Sequence, residues 1–161
     1  MALNYPGNFA WPDLMARLGA WGGLGDPKRE AEAQAIINAY TVAEAKAWLK
    51  RQVADRARQQ QDAFLLSENY SAGEASTWPI KRSEASQSNP NASNCPLLAA
   101  EAQASGRPLA SVVARVKQNS DAFSAYAAKC AGNRGKHQDA IDQLTTFDEV
   151  ARYDYSTGWP A

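Results

Sequence analysis

"CPLLAAEAQASGRPLASVVARV", Cys95 to Val116, holds two apolar, alanine-rich runs on either side of Ser105-Gly106-Arg107-Pro108. Glycine closes a helix in the left-handed conformation at little steric cost, and proline opens the next helix where its missing N–H would have no partner anyway. The stretch therefore predicts a helical hairpin: one helix from about Pro96 to Ser105, with Asn94 as its N-cap and Gly106 just past its end, and a second opening at Pro108. Neither run carries a residue able to do chemistry.

Working outward, the second helix is expected to run to about Leu144. Leu109, Val113, Val116, Ser120, Phe123, Ala127, Cys130, Arg134, His137, Ile141 and Leu144 follow alternating steps of four and three. That is heptad spacing, suited to antiparallel helix packing or a coiled coil. Ser120, Arg134 and His137 dilute the seam, and Gly132 and Gly135 each weaken a helix by roughly 1 kcal/mol relative to alanine, so a kink or fray is expected near 132–135. Thr146 and Glu149 form a capping box for a last short helix to about Arg152, followed by the polar and aromatic tail "DYSTGWPA".

Upstream, Asp26-Pro27 predicts a helix to about Tyr40, and a second capping box, Thr41 with Glu44, restarts the chain. "VAEAKAWLKRQVADRARQQQDAFLL" contains no Gly or Pro and predicts one helix from about 42 to 67, with Val42, Ala45, Leu49, Val53, Ala57 and Phe64 near one face. Between the long helices, Gly73 and Pro79 argue for a break, a short helix from Pro79 to near Ser86, and then the turn-rich loop "SQSNPNASN". The sequon at Asn91 has no meaning in a chain without a secretory signal.

Residues 1–25 differ from the rest. Five glycines mix with Tyr5, Phe9, Trp11, Trp21, Pro6 and Pro12, leaving room only for a short helix from Pro12 to about Leu18. The aromatics are too many for a disordered linker. The segment either packs on the chain's own helices or is an arm that docks on a neighbouring subunit, where Trp and Tyr are favoured anchors. The expected organisation is an N-terminal docking arm, 1–25, and an all-α helical domain, 26–161: a long helical hairpin or small bundle. Candidate interface residues are Tyr5, Phe9, Trp11, Trp21 and Trp159 with Leu109, Val113, Val116, Phe123 and Ile141 of the seam.

Composition narrows the function. Of 161 residues 45% are apolar, much of that alanine, and mean hydropathy is −0.50, so a thin helical layer completed by a partner is expected rather than a deep core. Seventeen basic residues balance seventeen acidic ones, which leaves no field to steer the chain toward nucleic acid or an anionic membrane. No run approaches the roughly 18 apolar residues of a membrane span, and "MALNYPGNFAWPDL" lacks the charged and apolar regions of a signal peptide. Cys95 and Cys130, read in a reducing cytoplasm, are small packing residues rather than a disulfide.

Catalytic parts are missing from the pattern. His137 is the single histidine, so a multi-histidine metal site cannot form, and Cys130 sits two turns from it on the same helix, out of reach. "GNRG" at 132–135 is too short to cradle a phosphate, and the carboxylates show no spacing that would separate two pKa values. The expectation is no enzyme, no cofactor and no metal.

Pro96-Leu97-Leu98-Ala99-Ala100-Glu101-Ala102, then Gly106, then Leu109 through Val116, then the Thr146–Val150 turn and the closing Gly158-Trp159-Pro160 resemble, in order, the C-terminal part of small tail proteins of bacteriophages and prophages. The similarity extends over roughly residues 42–161 and leaves the N-terminal segment unexplained. Cys95 stands where the family has an aromatic, and Lys, Asn and Gln replace alanines in the long helix. The resemblance implies a virion protein of the tail, made in the host cytoplasm: a tail-fibre or baseplate adaptor, or alternatively a tail-fibre assembly chaperone absent from the particle. Its implied partners are other tail, baseplate and fibre proteins and further copies of itself joined along the seam.

Overall fold

The computed structural model describes residues 4–19, 27–67 and 72–160. They form seven α-helices and no strand: α1 Pro12–Gly19, α2 Pro27–Ala39, α3 Val42–Ser67, α4 Ala72–Ala85, α5 Pro96–Ser105, α6 Leu109–Gln143 and α7 Phe147–Arg152, preceded by a 3-10 turn at Pro6–Asn8. The fold is all-α, with α3 and α6 as its longest elements. Contacts divide the chain into two compact units, one drawn from residues up to Ala57 with Gly132–Trp159, the other from Arg58–Ala131 with Pro160. The expected boundary at residue 25/26 is not one of these divisions. The described part of the N-terminal segment belongs to the first unit, where its Trp11 and Leu14 are fully buried.

The first unit is built around Trp11. Its indole is fully buried (0% exposed) with Leu14, Ile37, Ala45, Leu49, Val53, Ile141 and Val150. Phe9, Tyr40, Trp48 and Phe147 surround it with ring centroids 4.8 to 6.0 Å away. Its polar atom is not stranded, because the indole N–H donates to the Pro6 carbonyl at 3.1 Å. Gly7, at φ +65°, makes the approach possible: a Cβ there would lie 3.0 Å from the Cβ of Phe147. The Gln34 amide exchanges two hydrogen bonds with the backbone of Asn4, at 3.0 and 3.1 Å, as a strand neighbour would.

Helix ends in this unit are closed by side chains. The Thr146–Glu149 capping box forms with both of its arms, and in the Thr41–Glu44 pair the Thr41 N–H donates to Glu44 and the Glu44 N–H to Thr41. The ammonium of Lys46 donates to the Asp142 and Leu144 carbonyls at 2.8 and 3.0 Å, covering the C-terminus of α6. α6 runs helical through Gly132 and Gly135, so the expected fray is absent. A propensity cost of about 1 kcal/mol per glycine is local, and here the helix is held on both sides by the buried Cys130 and Ile141.

The second unit packs α4, α5 and the start of α6 around Ala85, Cys95, Leu98, Ala102, Val112 and Val113. Gly106 is left-handed (φ +65°); Arg107 N–H donates to Ala102 and Gly106 N–H to Gln103, a complete Schellman end. Along α3 and α6, Gln60 meets Tyr126 and Phe64 meets Phe123 and Tyr126. The numbers climb in one helix as they fall in the other, so the two run antiparallel here.

Two expectations change in this unit. α4 spans Ala72–Ala85 with Pro79 in its interior instead of starting at Pro79. The proline costs a ladder hydrogen bond, but Trp78 packs edge-on against Phe123 at 5.7 Å and Lys81 pairs with Glu101 at 2.7 Å, fixing the turns on either side. Asn94 does not cap α5. Its side-chain oxygen instead accepts the Asn91 N–H at 2.8 Å inside the loop, and the N-cap position falls to Cys95, which makes no side-chain cap bond.

Candidate interaction surface

The missing cap of α5 comes from another helix. Glu84 of α4 is only 8% exposed, yet its carboxylate accepts the Leu97 N–H at 3.1 Å and the Leu98 N–H at 2.9 Å. The Cys95 thiol donates to the Glu84 carbonyl at 3.2 Å. A carboxylate at a helix N-terminus meets both the orphan donors and the positive end of the dipole, which makes burial of its charge tolerable. No local sequence signal announces this residue.

Among the described residues the proposed interface side chains are buried or half-buried. Trp11 and Ile141 are fully buried (0% exposed) and Val113 is nearly so, which leaves them no face to offer a partner. Tyr5 and Phe9 are half-buried against the core of the first unit, and Leu109 and Val116 against that of the second. Phe123 lies among Phe64 and Trp78. Trp21 falls outside the described residues. The seam of α6 is thus covered by the chain's own helices, and copies joining through it would have to displace that packing. The large apolar side chains left exposed among the described residues are Met15 and Ile80.

Trp159 is half-buried and turned back on the body. Its ring stacks on His137 at 5.4 Å, and its indole N–H donates to the Tyr155 carbonyl at 2.8 Å. His137 touches Tyr153 through Nδ1 at 2.8 Å and the Thr157 carbonyl through Nε2 at 3.1 Å. A carbonyl only accepts, so Nε2 carries the hydrogen. In the neutral ring Nδ1 is then the acceptor for the Tyr153 hydroxyl. Cys130 is fully buried, and burial pushes its thiol above the ordinary value, the behaviour of an inert packing residue.

Several other polar groups pair with one another. Tyr40 donates to Asp13 at 2.8 Å, and burial, then the hydrogen bond to Asp13, pushes its phenol up. Arg17 reaches Glu44 at 2.8 Å and holds that carboxyl below the usual range, with Thr41 adding to it. Lys81, and after it Arg115, lowers Glu101 in the same way. Among the described residues no group of three or more His, Cys, Asp or Glu could hold a metal ion, and no helix is long and apolar enough to cross a membrane.

No family model, curated protein or solved structure matches the chain.

Proposed function

We propose that this protein is a structural component of a bacteriophage tail, an adaptor or connector of the fibre or baseplate that works by holding other proteins rather than by catalysis. The observation that carries the reading is that the most distinctive residues behind the resemblance have structural tasks. Leu98 and Ala102 of the PLLAAEA run are buried in the second unit, Gly106 takes the left-handed turn, Thr146 and Glu149 cap α7, and Trp159 folds back on His137.

The alternative, an assembly chaperone that leaves before the particle matures, shares the fold and differs in where the protein ends up. Mass spectrometry of purified phage particles separates the two. An adaptor is present in fixed ratio to the major tail proteins, at a multiple of three or six per tail for the usual tail symmetries. Abundance in infected cells with absence from particles would select the chaperone, and absence from both would end the tail reading.

A further inference from the structure

We infer that residues Tyr153–Trp159 form a strap that opens and closes as a unit on the first unit of the fold, with His137 as its pin. The strap has no helix or strand ladder of its own. Its internal bonds make it a preformed hook: Asp154 accepts the Ser156 N–H at 2.8 Å, Gly158 at φ +79° reverses the chain, and the Trp159 indole closes on the Tyr155 carbonyl at 2.8 Å.

Its polar ties to the body converge on one side chain. His137 takes the Tyr153 hydroxyl at Nδ1, gives its Nε2 hydrogen to the Thr157 carbonyl, and lies flat against Trp159. At the strap's first residue the Tyr153 backbone N–H closes the end of α7 on Val150; after the strap, the Pro160 carbonyl accepts from Tyr126 at 3.3 Å. Both of those bonds can persist while the segment between them lifts. Tyr153, Tyr155 and Trp159 lie against the aromatic core of this unit, so opening bares apolar surface on the strap and on the face beneath it while α6 and α7 keep their backbone bonds. Segments joined by few such bonds open at free energies below that of global unfolding.

The single histidine makes the test specific. With the strap closed, one ring nitrogen carries a hydrogen and the lone pair of the other is held by Tyr153, so neither attacks diethyl pyrocarbonate. Carbethoxylation of His137 in the full chain, followed by mass spectrometry at constant pH, therefore measures opening. The expected result is labelling slower than in the urea-unfolded chain, with a urea dependence below the unfolding transition weaker than that of global unfolding. Gly158→Ala sharpens it. A Cβ there meets nothing within 4 Å, so the variant strains only the left-handed backbone of the closed hook and should speed labelling roughly tenfold. Labelling at the unfolded-chain rate in the unmodified protein would mean that no closed strap exists. A urea dependence matching global unfolding, or no acceleration in Gly158→Ala, would show that the segment does not open by itself.

Discussion

Glu84 is a buried charge that replaces a local cap with one supplied from a distant helix. Glu84→Ala leaves two N–H groups at the start of α5 without their acceptor and should lower stability by roughly 1–3 kcal/mol in urea denaturation, more than Glu84→Gln, which keeps one acceptor oxygen. Glu101 adds a pH signature. Lys81 first, then Arg115, holds its folded-state pKa below the ordinary carboxylate value, so its contribution is present above that value and is lost as pH falls through the depressed one. Stability measured against pH on the acid side should accordingly fall less steeply in Glu101→Gln than in the unmodified protein. Trp11 is the largest buried side chain among the described residues of its unit, and Trp11→Ala should cost roughly 3–5 kcal/mol. A loss under 1 kcal/mol there would mean that the indole is not packed as described.

Local rules and tertiary contacts share control of the elements. Glycine illustrates both. Gly106 is left-handed with open space around it, so Gly106→Ala should destabilise by roughly 1–2 kcal/mol through backbone strain alone. Gly132 is helical, also with nothing within 4 Å of a built Cβ, and Gly132→Ala should stabilise by roughly 0.5–1 kcal/mol. Thermal unfolding of the two variants checks the opposite signs. The hairpin, both capping boxes and the two long helices were legible in the sequence because each depends on residues within a few positions of one another. Pro79 inside α4 and the unbroken α6 at 132–135 were not, because the contacts that offset their costs come from residues far away in the chain, such as Phe123 against Trp78 and the core around Ile141. The α5 cap was misread for the same reason: Asn94 had a competing partner in Asn91, and its replacement sat on another helix.

For the whole molecule, periodicity showed that α6 has an apolar seam but not what covers it. Heptad spacing reads the same whether the partner helix belongs to another copy or to the same chain, and here Leu109, Val113, Val116 and Ile141 meet their own chain. The aromatic N-terminal segment was equally ambiguous, since a buried anchor and a docking anchor use the same residue types. In the structure Trp11 and Leu14 complete the core of the first unit, with Phe9 and Tyr5 packed beside them. Removing residues 1–25 decides between the two roles most directly. With these side chains in the core, the shortened chain should lose at least about 10 °C of thermal midpoint or fail to fold, given roughly 3–5 kcal/mol for Trp11 alone. A shortened chain that melts at the same temperature as the full one, having lost only its ability to bind a neighbour, would contradict this and restore the docking arm.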